Sequence, residues 1–145
     1  MTNTFKPDCP LCAPGLDTLV WEDECCRVIR VADTDYGGYC RVIWTAHVAE
    51  MTDLTSSAQR HLMNVVLATE TAVRTLMQPT KVNLASLGNM VPHLHWHVIA
   101  RFADDRHFPE PIWGVPQRDG VKHASPDVQT LHAAIVAALT ELTAG

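Results

Sequence analysis

The 145 residues include 47% hydrophobic side chains and carry a formal net charge of −5, the balance of one globular domain with a substantial core. A negative chain without a basic run is a poor nucleic-acid surface, and no apolar stretch approaches the ~20 residues that span a bilayer. The N-terminus lacks a basic segment followed by an apolar one, which gives the expectation of a cytoplasmic protein with no membrane partner.

In chain order, the first feature is Cys9-Pro10-Leu11-Cys12. Five cysteines are an odd number, which argues against a disulfide framework. The C-x-x-C pair suits half of a tetrahedral zinc site, a redox pair, or two reduced structural cysteines. No strand precedes it as a thioredoxin-like arrangement requires. Thr18 to Trp21 and Cys26 to Val31 then read as strands joined by a turn at Glu22-Asp23-Glu24. A loop of Asp, Thr and Gly residues follows from Asp33 to Gly38, and Tyr39 to Trp44 reads as a third strand. A helix begins near Asp53-Leu54-Thr55, capped by Thr55 or Ser56. Its apolar positions Leu62, Val65, Val66, Ala72, Val73 and Leu76 recur over about six turns until Pro79 closes it.

Lys81 to Leu87 reads as a strand, with Gly88-Asn89 as the turn into the most informative stretch, Val91 to Arg101. There His93, His95 and His97 alternate with Leu94, Trp96 and Val98, the period of a half-buried strand. At about 6.6 Å between alternate residues, three imidazoles on one face can surround a phosphate-sized group. Such a face suits either zinc ligation for water activation or nucleophilic and acid–base work by neutral imidazoles. Beyond Arg101, a proline-rich loop carries Phe108 and Trp113, which can cover the sheet edge, complete the pocket of a second subunit or stack on a base, packing being the expectation. Ser125-Pro126-Asp127 then starts a C-terminal helix, with Ser125 as cap and an apolar stripe of Val128, Leu131, Ile135, Leu139 and Leu142. Strands followed by helices in this order predict an α+β domain on an antiparallel sheet of about five strands. The expectation is a single domain over residues 1–145, with a core over about 9–113 and the terminal helix over about 125–142.

His93-Leu94-His95-Trp96-His97-Val98-Ile99 resembles the His-φ-His-φ-His-φ-φ signature of the histidine triad (HIT) family of nucleotidyl hydrolases and transferases, φ being apolar. The strand Cys40-Arg41-Val42-Ile43-Trp44 leading to His47, and the Ala100-Arg101 pair, resemble the flanks of that signature. The resemblance implies the HIT fold, a homodimer, and cleavage at the α-phosphate of a purine nucleotide conjugate, either a dinucleoside polyphosphate or a nucleoside phosphoramidate. It assigns His95 as the nucleophile that becomes nucleotidylated, His97 as donor to a phosphate oxygen or the leaving group, and His93 as an orienting residue. Asp33 lies near a ribose-binding Asp of the family, with Asp35 as the alternative, and Asn83 and Asn89 are candidate nucleotide contacts. Met90 stands where better-known members carry a hydroxyl.

Bacterial members with an N-terminal C-x-x-C imply a structural zinc, held by position on Cys9, Cys12, His47 and His93. That scheme requires no cofactor for catalysis. Two other readings compete with it. One is a zinc hydrolase using all three triad histidines, and the other is a nucleotide-binding module without turnover.

Overall fold

The computed structural model describes residues 5–13, 15–32 and 35–144. Five short strands, β1 (Thr18–Glu22), β2 (Cys26–Arg30), β3 (Cys40–Trp44), β4 (Lys81–Ala85) and β5 (His95–Arg101), form one antiparallel sheet in the order β1-β2-β3-β5-β4. Helix α1 (Ser56–Met77) connects β3 to β4, and α2 (Val128–Ala144) ends the chain. The α+β expectation and the five-strand sheet are borne out.

Alternation sorts the strands into two faces. Val28, Val42, Trp44, Val82, Val98 and Ala100 point one way, into a core completed by Leu62, Val65, Val66 and Val73 of α1 and by Leu131 and Ile135 of α2. Both helices lie on that side, α1 against β3 and β5 and α2 against β1 and α1. The opposite face carries Arg41, His95, His97 and Arg101, and loops rather than helices surround it. None of the helices is long and apolar enough to cross a membrane among the described residues.

The ends of the helices follow local chemistry. The Thr55 hydroxyl accepts from the Ala58 N–H, as expected for a cap, and Gln78 ends α1 in the left-handed region at φ 49°. At α2 the cap differs from expectation. Asp127, not Ser125, accepts from the Thr130 N–H at 2.7 Å, while the Ser125 hydroxyl turns to the Pro126 carbonyl at 3.0 Å. A carboxylate beside the helix N-terminus gains from both the N–H and the helix dipole, which a hydroxyl two residues earlier cannot reach.

The triad strand also starts later than its alternation suggests. The His93 N–H bonds the Val91 carbonyl at 2.8 Å, a turn centred on Pro92, whose missing N–H and fixed φ suit it to that place rather than to a ladder. β5 accordingly begins at His95. The expected tight turn at Gly88-Asn89 becomes a longer connection from Ser86 to Leu94, with Gly88 at φ 83°.

One buried ion pair organises the loop after β5. The Arg101 guanidinium donates from Nε and Nη2 to the two carboxylate oxygens of Asp105 at 2.8 and 3.1 Å, from Nη2 to the Glu110 carbonyl at 2.7 Å and from Nη1 to Asn83 Oδ1 at 2.8 Å. Asp105 also accepts from the N–H groups of Phe102, His107 and Phe108. Burial alone would raise its pKa. The Arg101 guanidinium and the three N–H donors outweigh burial and hold the carboxyl below the usual carboxylate range.

Replacing Asp105 with Ala strands a buried guanidinium, and we expect a loss of about 3–5 kcal/mol in denaturant unfolding. In the native chain a depressed carboxyl stabilises fully above its unfolded pKa of about 3.9 and loses that contribution as pH falls toward its folded pKa. Acid unfolding of the wild type should therefore steepen below about pH 4, with this dependence weakened in Asp105→Asn.

Candidate functional site

Two histidine clusters meet at His93. The His93 Nε2 lies 2.6 Å from the Trp44 carbonyl. A carbonyl only accepts, so Nε2 carries the hydrogen and Nδ1 holds the lone pair. That Nδ1 sits 3.4 Å from Cys9 Sγ and 3.5 Å from Cys12 Sγ, and His47 Nδ1 is 3.4 Å from Cys12 Sγ. Ligand atoms of Cys9, Cys12, His47 and His93 all fall within 4.8 Å of one another. Tetrahedral zinc with bonds of about 2.3 Å to sulfur and 2.0–2.1 Å to nitrogen separates S and N by roughly 3.6 Å, so these spacings fit a zinc ion. The carbonyl behind His93 is the usual outer partner of a metal-bound imidazole.

The C-x-x-C arm is shaped for that cluster. The Cys9 N–H reaches the Lys6 carbonyl, the Cys12 N–H reaches the Cys9 carbonyl, and the Lys6 N–H donates to Cys12 Sγ at 3.4 Å. From β2, Arg27 Nη2 donates to the Leu11 carbonyl at 2.7 Å, which brings a positive charge beside the two sulfurs.

The second cluster lies on β5. His95 Nδ1 is 2.6 Å from the His93 carbonyl, so its hydrogen is on Nδ1 and its lone pair is on Nε2. His97 Nδ1 shares a 2.6 Å hydrogen bond with the Tyr39 hydroxyl, and the His95 and His97 rings meet edge to face with centroids 4.9 Å apart. Both rings are buried and kept neutral. Burial lowers the His95 pKa, and burial together with the neighbouring His95 and Arg41 pushes His97 down to about 4. His93 stands outside this pair. Its ring meets His47 edge-on at 5.0 Å, so the structure brings two of the three triad imidazoles together and sends the third to the cysteines.

His95 and His97 open into a cavity of about 430 Å³, lined also by Arg41, Asn89, Met90, Leu87, Trp113 and the C-x-x-C residues Pro10 and Leu11. Asn89 is thus at the site. Asn83 lies on the same side of the sheet, paired with Ile99, but its amide oxygen is taken by Arg101. Asp33 lies outside the described residues, and Asp35 faces Lys122 at 3.1 Å and lines a different cavity from His95 and His97.

Two residues escaped the sequence reading, and a third was expected in another role. Tyr39 and Arg41 sit on β3 or at its edge and read there as ordinary strand residues. Trp113 was expected to anchor its loop by packing, yet it is 52% exposed and its ring stands edge-on to His97 at 5.0 Å. Phe108 does pack, 5.9 Å from the Arg101 guanidinium. The available signal for Arg41 was a cation in an interior strand, on the face that the period assigns to the histidines.

A similar fold occurs in solved structures. A histidine triad protein from Bradyrhizobium japonicum is 28% identical, with 85% of this chain and 90% of that chain covered at a TM-score of 0.68. One from Marinobacter aquaeolei is 26% identical, covering 87% and 90% at 0.67. A zinc-bound histidine triad family protein from Mycobacterium smegmatis shares the fold at 21% identity, covering 94% and 96% at 0.58. No curated protein matches the chain. The HIT domain profile matches residues 16–104, more than half of the sequence and all of the sheet from β1 to β5, and the chain belongs to the HIT domain family.

Proposed function

We propose that this protein is a nucleotidyl hydrolase or transferase that cleaves at the α-phosphate of a purine nucleotide conjugate through a nucleotidyl-His95 intermediate. The observation that carries the reading is the hydrogen bond from His95 Nδ1 to the His93 carbonyl, which leaves the Nε2 lone pair facing a cavity large enough for a nucleotide. A neutral nitrogen approaches an anionic phosphate with less repulsion than a carboxylate does. His95 Nε2 attacks the α-phosphorus and the bond to the leaving group breaks. Water then displaces the nucleotide, and the electron pair of the P–N bond returns to Nε2. With the Tyr39 hydroxyl donating to Nδ1, the neutral His97 carries its hydrogen on Nε2 and offers it to a non-bridging oxygen. Asn89 supplies further N–H donors at the rim, and the purine preference follows the family.

Zinc on Cys9, Cys12, His47 and His93 is part of the same proposal. The donor set and spacing support it, as does the zinc reported for the Mycobacterium smegmatis protein. The ion would cross-link the N-terminal arm to the residue that fixes His95, and two thiolates would neutralise its charge. A catalytic zinc on His93, His95 and His97 is less well supported, because both His93 ring nitrogens are engaged away from the other two rings.

Incubation with adenosine phosphoramidate or diadenosine tetraphosphate, followed by acid-free denaturation and mass spectrometry, should reveal AMP bound to His95. His95→Ala should abolish the adduct and lower turnover by about 10⁴-fold or more. Binding without adduct or turnover would favour the non-catalytic module. Metal analysis of the purified chain should find one zinc per chain, and the Cys9→Ser/Cys12→Ser protein should lose it and melt on the order of 10 °C lower.

His97 should titrate near pH 4 by NMR, so that activity does not fall through its protonation between pH 8 and about 5. Because the unfolded imidazole binds its proton near pH 6.5, stability should decline as pH falls from about 6.5 toward 4. A titration of His97 above pH 6 would contradict the assignment.

A further inference from the structure

Arg41 is a long cation on an interior strand. It lies directly opposite His97 in the β3–β5 register, and His97's other cross-strand neighbour is Ala85. Arg41 is the only cationic side chain among the described residues that line the His95–His97 cavity. Its guanidinium carbon lies 5.6 Å from the centre of the Tyr39 ring, whose hydroxyl holds His97.

The group is incompletely paired. Its Nε is buried with no hydrogen-bond partner. Its ion pair, from Nη1 to Asp17 Oδ2, is long at 3.6 Å, and the other Asp17 oxygen accepts from the Ala32 N–H at 2.8 Å. A guanidinium stays charged in any protein and presents its donors as a planar fork that matches phosphate oxygens. Leaving such donors buried without an acceptor is unfavourable. The Nε itself is covered, whereas the side chain as a whole is 28% exposed and lines the cavity, where an entering anion can share its charge with Asp17.

We infer that Arg41 is an anion clamp for the departing phosphate, so that the site favours nucleotide conjugates joined through a phosphoanhydride over those joined through a P–N bond. The inference rests on the nucleotidyl-transfer reading given above. When His95 Nε2 bonds to the α-phosphorus of an anhydride, the bridging P–O bond breaks and its electron pair leaves on a phosphate oxygen. That anion needs positive charge more than it needs a proton, and Arg41 beside His97 supplies it. An amine leaving from a phosphoramidate must instead take up a proton as the P–N bond breaks. A fixed cation gives no such proton and opposes the charging of the adjacent His97. Met90, at the same rim, offers no donor.

The test compares diadenosine tetraphosphate with adenosine phosphoramidate in the wild type, Arg41→Leu, Arg41→Gln and Arg41→Lys, each checked by circular dichroism melting. We expect kcat/KM for the anhydride to fall about 10²-fold in Arg41→Leu, with the loss on the phosphoramidate at least about tenfold smaller. Arg41→Lys should recover part of the anhydride rate by restoring charge, whereas Arg41→Gln, which keeps N–H donors without charge, should not. Equal losses on both substrates, or none, overturn the inference, and if Arg41→Leu fails to fold the Lys and Gln variants decide it.

Should the wild type process neither substrate, the transfer reading fails separately. Calorimetry with inorganic pyrophosphate then judges the clamp alone. Binding that weakens tenfold or more in Arg41→Gln sustains it, and binding equal in both proteins or absent from both refutes it.

Discussion

Two backbone carbonyls decide which nitrogen of His93 and of His95 is available, and the rest of the site depends on them. The Trp44 carbonyl takes the Nε2 hydrogen of His93, and the His93 carbonyl takes the Nδ1 hydrogen of His95. The first bond aims a lone pair at Cys9 and Cys12. The second aims a lone pair into the cavity. One residue thus faces both clusters, with its ring in one and its carbonyl in the other. Trp44 is nearly fully buried and belongs to the helix-covered core, so the tautomer of His93 is set from the core. A side-chain partner in either role could rotate, whereas a backbone carbonyl, on β3 for Trp44 and in the turn before β5 for His93, cannot do so freely.

The layering explains why the chemistry has room. Both helices cover one face of the sheet, and the other is left to loops and to the N-terminal arm. Those loops are held by charge rather than by a second apolar core. Asp105 gathers three N–H groups and a guanidinium, and Arg118 Nη1 adds bonds to the carbonyls of Asp105 and Phe108 at 2.7 and 2.8 Å. That knot sets the path of the segment that brings Trp113 over His97. The smaller apolar cluster on this side, Tyr36, Tyr39 and Ile99, supports the same corner.

Much of this was legible in the sequence because periodicity and capping are local properties. Alternation placed His95 and His97 on one face and Val98 on the other, Thr55 marked the start of α1, and the run of strands and helices gave the fold class. The same alternation misplaced His93, since a period of two cannot register that Pro92 closes a turn one residue earlier. Ser125 was preferred to Asp127 as a cap because both are good caps and only the backbone path separates them. Arg41 and Tyr39 were passed over, and Trp113 was assigned to packing, for a different reason. Their meaning comes from cross-strand register and loop packing, which no local pattern encodes. The approach of Cys9 and Cys12 to His93 is likewise invisible to spacing rules, and the family resemblance alone suggested it.

The arm carrying Cys9 and Cys12 lies 84 and 81 positions from His93, and it also furnishes the Pro10 and Leu11 wall of the cavity. Whatever lifts the arm from His93 therefore also removes part of the cavity wall, so occupation of the cavity and seating of the arm are thermodynamically linked, each favouring the other.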